Sequence, residues 1–356
     1  MATVAKFEIE YRQLLDAQGN PTRKGLPKFA GDPDTLIPLY ELMVRTRVFD
    51  AKAIALQRTG KLGTYASSLG HEAIHVAIGS AMAPEDVFCP MYREYGAQFY
   101  RGVEMEDVLG YWGGDERGND YSVPKHDFPW SVPIATQTLH AAGSALAFKL
   151  RGEKRAAVTV IGDGGSSKGD FLEAMNAAGV WDLPVVFVIV NNQWAISIPR
   201  AKQCGAETLA QKGIGAGITA LQIDGNDLLV CKQVMSEALQ RARKGKGASL
   251  IEAITYRLHD HTTADDASRY REKQEVDDAW AREPILRLRN YLTNTLKCWD
   301  DDKEAKLQQR CEKEVAAAVD HYLNSKAMPV NAMFDHLYAN VPPDLERQMK
   351  QAMGDQ

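Results

Sequence analysis

Apolar residues recur along this chain in two patterns, one with the spacing of a helix and one in short unbroken runs. Between residues 34 and 59 they recur at helical spacing, which predicts one long helix or two consecutive helices. Residues 156–161 and 185–190 are instead β-branched apolar runs of strand length. The segment between these runs has helical spacing and stops at Pro184, so the pattern indicates the order strand, helix, strand.

Two nearly continuous apolar runs joined by a helix are typical of a parallel βαβ unit whose strands are buried on both faces. A second unit follows, with strands at 219–223 and 249–256 around a helix whose expected N-cap is Asn226. Further amphipathic helices are expected in the regions 272–293, 302–325 and 342–353. The fold class is therefore α/β, with a parallel sheet and helices on both faces.

The ends and loops of the chain have a different composition. Glycine and proline punctuate the polar residues 1–33, which predicts an N-terminal arm laid over a surface rather than a core element. Residues 113–133 lack periodicity and are rich in the same two residue types, so we expect a long loop there. Because no repeat or linker interrupts the remainder, residues 34–356 are predicted to form one domain.

Charge and cysteine usage weigh against several functional classes. The 42 basic residues are outnumbered by 47 acidic ones, and the net charge of -5 gives no positive field for nucleic acid. No apolar run reaches the roughly 18 residues that crossing a membrane requires, and the N-terminus is not expected to direct export. Five scattered cysteines without metal-ligand spacing indicate reduced thiols and a cytoplasmic location.

Side chains with oxygen donors follow both strands of the first βαβ unit. Asp163 lies just past the first strand, and Asn191 and Asn192 lie just past the second. Adjacent parallel strands are about 4.8 Å apart and end at the same edge, where open α/β sheets bind ligands. A carboxylate and an amide oxygen there suit Mg²⁺, which completes its coordination with phosphate oxygens and water. The alternative is that these residues only form strand-end turns.

Glycines at the end of the first strand favour a phosphate ligand, but two common nucleotide motifs do not fit. Gly162, Gly164 and Gly165 would allow a diphosphate to approach the backbone closely. The run differs from G-x-G-x-x-G because Ser167 stands at the sixth position. It also differs from a P-loop, because Lys168 is followed by glycine.

The glycine-aspartate motif and the asparagine pair are spaced as in a known family. Twenty-six residues separate Gly162-Asp163-Gly164 from Asn191-Asn192, which resembles the thiamin diphosphate motif. Residues 161–199 resemble the alpha subunit of pyruvate and branched-chain 2-oxo acid dehydrogenases, and the similarity extends from Arg45 through the C-terminal helices. The resemblance implies the thiamin diphosphate-binding fold and the decarboxylating dehydrogenase component of a 2-oxo acid dehydrogenase complex.

The resemblance implies roles for the residues of these motifs. Asp163 and Asn192 would bind magnesium through side-chain oxygens, and Trp194 would add its backbone carbonyl. Three glycines would contact the cofactor, the last two of them along its diphosphate: Gly162, Gly164 and Gly165.

Three further segments resemble cofactor-contacting elements of the family. Tyr92 would pack near the cofactor, and Arg93 would pair with a diphosphate oxygen through its planar fork. Ile134 would be the wedge that bends the two cofactor rings. His261, in a flexible active-site loop, would face the cofactor and act as the catalytic residue. Each of these residues alone would also fit an ordinary surface, core or loop position.

A structural cation is a further implication of the resemblance. In branched-chain enzymes the segment around Ile134 binds potassium, and Ser131, Pro133, Thr136 and Gln137 match those positions. The expected cofactors are therefore thiamin diphosphate and magnesium, with structural potassium as a third.

One catalytic group has no counterpart in this chain. The cofactor needs a carboxylate against its aminopyrimidine ring, and no motif here supplies it. In the family that group comes from a beta subunit, which implies an α2β2 heterotetramer with the active site between chains. The implied reaction is oxidative decarboxylation of a 2-oxo acid with reductive acylation of a lipoyl group. The lipoyl domain of an acyltransferase core is therefore a further expected partner.

The substrate stays open between two close relatives. A pyruvate dehydrogenase (acetyl-transferring) is the main interpretation, and a branched-chain 3-methyl-2-oxobutanoate dehydrogenase is the alternative. One or two methylenes in a substrate change its binding free energy by only about 1–3 kcal/mol, so the sequence does not distinguish the two substrates. A noncatalytic nucleotide-binding scaffold subunit is the alternative of another class, in which the metal ligands would be idle.

Overall fold

A computed structural model describes residues 2–354, and its centre is a parallel sheet. The strands within these residues are, in chain order, β1 (Tyr11–Arg12), β2 (Val87–Cys89), β3 (Ala157–Gly162), β4 (Val185–Asn191), β5 (Trp194–Ala195), β6 (Ile198–Pro199), β7 (Thr219–Asp224) and β8 (Ser249–Ile254). The order across the main sheet is β1-β7-β8-β4-β3-β2, and its strand pairs are parallel. β5 and β6 form a separate antiparallel hairpin.

Helices surround the sheet and form most of the remaining regular structure. In chain order they are α1 (Pro33–Arg58), α2 (Glu72–Ala81), α3 (Tyr95–Arg101), α4 (Met105–Trp112), α5 (Thr136–Arg151), α6 (Gly169–Val180), α7 (Arg200–Gln203), α8 (Gln211–Gly215), α9 (Leu228–Arg243), α10 (Lys273–Trp280), α11 (Pro284–Asn290), α12 (Asp301–Asn324) and α13 (Pro343–Met353). Short 3-10 turns lie at Lys28–Gly31, Glu116–Asn119, Gly165–Ser167, Ala267–Arg269 and Val330–Met333.

β4 explains why helices cover both faces of the sheet. Every residue of this strand is buried. Its even-numbered valines join the core that α1, α2, α9 and α12 cover, whereas its odd-numbered apolar residues join the core of α5 and α6. Because side chains alternate between the two faces of a strand, an unbroken apolar run requires a helix layer on each side. The predicted α/β fold is confirmed.

The predicted order of elements also agrees with the structure. The predicted region 34–59 forms one long helix, α1, which ends at Arg58, rather than two helices. β3, α6 and β4 form the first βαβ unit, and β7, α9 and β8 form the second, each with adjacent parallel strands. The loop at 113–133 contains regular structure only in its short 3-10 turn.

The N-cap of α9 is Asp227, and the prediction of Asn226 is wrong. The carboxylate of Asp227 accepts hydrogen bonds from Leu229 N and Val230 N. The Asn226 side chain instead donates to Arg282 O at 3.2 Å. Both residue types are favourable N-caps, so only the backbone geometry separates these two neighbours.

The N-terminal arm is partly built into the core, which corrects the prediction that it only covers a surface. β1 pairs with β7 at one edge of the sheet. Leu14 and Leu15 are buried, and their backbone N–H groups each donate to Asp227 Oδ2 at 2.7 Å. A two-residue strand is too short to produce a periodic signal. The division between residues 1–33 and 34–356 stays a prediction.

The C-terminal part is helical, as expected. The region 272–293 contains α10 and α11, which are separated where Pro284 starts the second helix. Glu283 caps that helix by accepting from Ile285 N and Leu286 N. A π-helical turn, Tyr291–Thr295, follows. Across residues 2–354, no helix combines the length and the apolarity needed to cross a membrane.

Candidate functional site

The candidate residues lie at the carboxyl edge of β3 and β4. These strands pair in parallel, with Gly162 opposite Val190. Asp163 therefore leaves the sheet beside Asn191 and Asn192, at the edge where parallel sheets bind ligands. The predicted adjacency of the two strand ends is confirmed.

One cavity of about 350 Å³ collects the predicted cofactor residues. These lining residues are Tyr92, Arg93, Ile134, Gly162, Asp163, Gly164, Gly165, Asn192, Trp194 and His261. The other members of the lining were not predicted from the sequence, and they are Met91, Lys168, Ala195, Ile196, Ile198 and Gln203. The structure thus brings the candidates together around one space.

Asp163 is a buried carboxylate with one oxygen that lacks a partner. The residue is 1% exposed, and its Oδ2 forms no hydrogen bond with the described residues. Burial raises the pKa of Asp163 to about 6, although the backbone amides of Asp163 and Gly164 lower it. A buried polar atom without a partner costs free energy, and a hard divalent cation would satisfy this one. The donor therefore fits magnesium.

A tight hairpin after β4 forms the opposite wall. Asn192 Oδ1 accepts a hydrogen bond from Trp194 N at 3.2 Å. Gln193 and Ile196 have positive φ angles of 72° and 57°, which residues other than glycine rarely adopt. The Trp194 indole donates to Glu275 Oε1 at 3.0 Å, so α10 anchors the hairpin from outside. These contacts hold the Trp194 backbone at the cavity.

Two buried arginines beside the cavity lack a carboxylate partner among the described residues. Arg93 donates to the carbonyl oxygen of His261 at 3.0 Å. Arg257 donates to the carbonyl oxygens of Trp194 at 3.3 Å and Ile196 at 2.8 Å. Burial lowers the pKa of Arg257 to about 10. Uncompensated guanidinium charge at the cavity fits an anionic ligand such as a diphosphate.

His261 lies between these two arginines. Its Nδ1 is 3.5 Å from Arg93 Nη2 and 3.5 Å from Arg257 Nη1, and its backbone N–H donates to Asp265 at 2.9 Å. Burial, followed by repulsion from Arg93 and Arg257, lowers the pKa of His261 to about 3. The imidazole is therefore neutral at pH 7 in the free chain.

The glycine-rich turn after β3 leaves no room for side chains. A Cβ on Gly164 would lie 2.5 Å from Ala195 Cβ. A Cβ on Gly165 would lie 2.7 Å from Ile161 Cγ1 and 3.0 Å from Ile134 Cγ2. Ile134 itself is 37% exposed, so it borders the turn and the cavity rather than filling the core. The turn thus keeps its backbone accessible at the site.

Asn191 points away from this cavity. Its side-chain amide donates to Glu252 Oε1 at 2.7 Å, and its Oδ1 accepts from Gln193 Nε2 at 3.0 Å. Only the second asparagine of the pair therefore lines the cavity with Asp163.

The potassium segment lies where α5 begins. Ser131 Oγ donates to Pro133 O at 3.4 Å, and Thr136 N donates to the same oxygen at 3.3 Å. Gln137 Oε1 is buried without a partner among the described residues. Potassium at this segment stays a prediction.

Arg257 is a further polar neighbour of the site that was not predicted from the sequence. It follows β8, which pairs with β4, so it emerges at the same sheet edge as the two motifs. The residue is 0% exposed. A charged residue close behind an apolar strand was the available signal, but its burial depends on the hairpin that covers it.

Comparison with known proteins identifies the family of this chain. The family described as Dehydrogenase E1 component matches residues 40–331. Over 349 residues the chain is 40% identical to the "3-methyl-2-oxobutanoate dehydrogenase subunit alpha" of Mycobacterium tuberculosis, covering 97% of this chain and 94% of that protein. Over 347 residues it is 38% identical to the "Pyruvate dehydrogenase E1 component subunit alpha" of Staphylococcus aureus, covering 97% and 93%. The chain belongs to the dehydrogenase E1 component family.

Proposed function

We propose that this chain is the alpha subunit of a thiamin diphosphate-dependent 2-oxo acid dehydrogenase. Pyruvate is the main candidate substrate, with acetyl transfer as the outcome, and 3-methyl-2-oxobutanoate is the alternative. The observation that carries the proposal is the unpartnered Oδ2 of Asp163, which shares its cavity with a glycine-rich turn and Arg93. The names of the relatives include both substrates, and the family match favours an enzyme over a noncatalytic scaffold.

In this proposal the two strand ends hold magnesium. Asp163 and Asn192 would bind it through side-chain oxygens, and Trp194 through its backbone carbonyl. The donor set supports this assignment, because Mg²⁺ prefers hard oxygen ligands and takes its remaining ligands from phosphate and water. Arg257 already donates to the Trp194 carbonyl at 3.3 Å, a long contact that would have to share this oxygen with the metal.

The diphosphate would lie against the turn that follows β3. The backbone of Gly162, Gly164 and Gly165 would line it, and Arg93 would neutralise it through its planar fork. The absence of a carboxylate partner for Arg93 in the described chain supports this role. Tyr92, whose ring lies 5.4 Å from the Arg93 guanidinium carbon, would pack beside the cofactor.

Ile134 and His261 would act on the reacting end of the cofactor. When bound, thiamin diphosphate supplies the carbon nucleophile and holds the electrons released with carbon dioxide. Ile134 would force the two rings into a bent shape, which its position beside Gly165 supports. His261 would serve as the catalytic residue, because its neutral imidazole can accept or donate a hydrogen bond at the substrate.

The site needs a second chain. Asp163 is the only carboxylate that lines the cavity within residues 2–354, and the proposal assigns it to the metal. Two apolar side chains of the cavity lining are about half exposed: Ile196 and Ile198. An exposed apolar rim around an incomplete site favours cover by a partner. The relatives are named as alpha subunits, which implies a beta subunit, and we propose that it completes an α2β2 heterotetramer and supplies the missing carboxylate.

A lipoyl domain would approach at the loop that carries His261. Asp266 and Arg269 are exposed on this loop, close to the cavity in sequence. We place the lipoyl domain of the acyltransferase core there, because the acyl group must pass from the cofactor to the lipoyl sulfur. The scattered, unpaired cysteines support a cytoplasmic location for the complex.

The decisive experiment is a reconstituted assay. The chain is expressed with and without the beta subunit, and 2-oxo acid-dependent dye reduction is measured with pyruvate and with 3-methyl-2-oxobutanoate. We expect turnover only when both chains are present, with the larger kcat/KM identifying the substrate. Substantial turnover by this chain alone would rule out the divided site.

A matched pair of variants tests the metal site. Asp163→Ala should weaken magnesium-dependent cofactor binding by more than about 100-fold. Mutating a residue that only supports a metal ligand already costs up to about 100-fold in metal affinity, and Asp163 is proposed as a ligand itself. Asp302→Ala removes an exposed carboxylate on α12 and should bind the cofactor like the wild type. Equal binding by both variants would contradict the proposed site.

A further inference from the structure

Lys212 reaches across from α8 to the turn between β3 and α6. Its Nζ donates to Ser166 O at 2.6 Å and to Ser166 Oγ at 2.8 Å, with a longer contact to Ser167 Oγ at 3.4 Å. The side chain is half-buried. Its ammonium group is therefore directed at a turn that lies nearly fifty residues earlier in the chain.

The contact continues through Ser166 to the strand end. Ser166 Oγ donates to the backbone carbonyl of Asp163 at 2.6 Å. Gln203 holds the same turn from another direction, because its Nε2 donates to Gly164 O at 3.1 Å and to Ser167 Oγ at 2.6 Å. Two elements that follow β4 thus fix the turn that follows β3.

The turn needs such support because its two glycines do not restrict its backbone to one conformation. Gly164 and Gly165 have more accessible backbone conformations than other residues, and ordering them costs entropy. Any displacement is also limited, since Gly164 already lies against Ala195 and Gly165 against Ile161. An amine that donates to three oxygen atoms of the turn selects one arrangement of its backbone.

Charge supports the same conclusion. Within residues 2–354, Lys212 forms no ion pair with a carboxylate, so no acidic side chain competes with the turn for its ammonium group. Its donors are instead directed at the carbonyl and hydroxyl oxygens of the turn. The positive charge therefore lies behind the backbone that faces the cavity.

We propose that Lys212 is a positioning residue that holds the turn from Gly164 to Ser167 in the shape that binds a diphosphate. This inference rests on the proposed function, and it adds a residue that lies outside the cavity lining. Lys212 acts through Ser166 and does not touch the cofactor. Its loss should therefore weaken diphosphate binding while leaving the chemistry at the other end of the cofactor intact.

The test compares Lys212→Met with Lys212→Arg in the complete complex with the beta subunit. Lys212→Met keeps the aliphatic stem and removes the ammonium group. We expect about tenfold weaker magnesium-dependent binding of both thiamin diphosphate and inorganic pyrophosphate, as for the loss of one charge-assisted hydrogen bond. The KM for the cofactor should rise by about the same factor, while kcat at saturating cofactor stays unchanged. Lys212→Arg should restore most of the affinity.

Lys232→Met is the matched control. Lys232 is also half-buried, and its Nζ donates to the carbonyl and hydroxyl oxygens of Ser80 at 3.3 and 3.2 Å, away from the cavity. This variant loses contacts of the same kind and should bind the cofactor like the wild type. Ser166→Ala removes only the hydroxyl link, keeps the fold, and should weaken pyrophosphate binding by about threefold.

The outcomes separate the two proposals. Failure of the wild-type complex to bind magnesium with thiamin diphosphate would contradict the proposed function. Binding by the wild type together with unchanged affinity in Lys212→Met and Ser166→Ala would overturn the positioning role alone. An equal loss in Lys232→Met, with a lower Tm in both lysine variants, would also overturn it, because a general loss of stability would then explain the effect.

Discussion

Two buried aspartates at the carboxyl edge of the same sheet, Asp163 after β3 and Asp227 after β7, differ in what surrounds them. Both are almost completely buried, and burial raises the pKa of each to about 6. Asp227 accepts hydrogen bonds from four backbone amides, those of Leu14, Leu15, Leu229 and Val230. Asp163 keeps its Oδ2 without a partner among the described residues.

The difference teaches that burial alone does not identify a functional carboxylate. Both groups pay a similar desolvation cost, so the raised pKa is common to them. The Asp227 carboxylate accepts hydrogen bonds from amides of both the N-terminal segment and α9, and it thereby joins the two. Its role is therefore structural. The oxygen left free on Asp163 has no structural use and is available to a ligand. Four experiments test this contrast.

The largest effect is expected for Asp227→Ala. The change leaves four amides without an acceptor, at about 1–3 kcal/mol each, and relieves roughly 3 kcal/mol of desolvation. The free energy of unfolding should therefore fall by about 5 kcal/mol, the middle of the resulting range, measured by urea denaturation. Cofactor affinity should stay unchanged in the folded fraction. A loss below about 1 kcal/mol would show that the amides do not depend on this carboxylate.

Asp163→Asn should have the opposite effect on stability. The folded chain favours the protonated form of Asp163, so its charge destabilises the fold at pH 8 by about 2–3 kcal/mol. The neutral amide should raise the free energy of unfolding of the cofactor-free chain by about 2 kcal/mol and weaken magnesium-dependent cofactor binding. Thermal unfolding at pH 8 measures the first effect, and titration calorimetry the second. Lower stability of the variant would show that the Asp163 carboxylate stabilises the fold, as that of Asp227 does.

The pH dependence of magnesium binding gives the third test. Asp163 must lose its proton to bind a cation, and its pKa of about 6 places the competition just below neutral pH. Affinity should be constant above pH 7 and fall by about tenfold per pH unit below pH 6. The stability difference between wild type and Asp163→Asn should shrink over the same range, because the folded-state pKa is raised and the charge penalty disappears as pH falls. A flat profile from pH 5 to 8 would exclude Asp163 as the ligand.

The smallest effect is expected for Asn226→Ala. This residue precedes the true N-cap, and its side chain makes one hydrogen bond, to Arg282 O. Its loss should cost about 1 kcal/mol, well below the cost of Asp227→Ala. Denaturation under identical conditions compares the two, and equal losses would show that the capping interaction is shared.

The features that could be predicted from the sequence are those with a signal in a short stretch of residues. The β-branched runs at β3 and β4 are unbroken because both faces are covered, so strand, burial and parallel pairing followed from one pattern. Asp163 and Asn192 could be placed together because parallel neighbours end at one edge. The spacing between the Asp163 motif and the asparagine pair indicated the family. The resemblance to that family then indicated the other predicted residues of the cavity.

Other features depend on contacts that no local pattern contains. Asn226 and Asp227 are equally good N-caps, and only the acceptor geometry of the folded chain distinguishes them. Arg257 is buried because the hairpin of β5 and β6 supplies carbonyl acceptors from a distant segment. Lys212 reaches the turn after β3 through tertiary contacts. The break before α11 was not predicted, although Pro284 gives a local signal, since proline favours the first turn of a helix.

The pairing of β1 with β7 has a consequence for how the protein is made. Leu14 is synthesised before Asp227, whose side chain binds its amide and lies 213 residues later in the chain. The segment around Leu14 must therefore wait until Asp227 has been synthesised before it can pair with it. During that interval its leucines are open to chaperones and proteases, and this edge of the sheet can be completed only after Asp227 has been made.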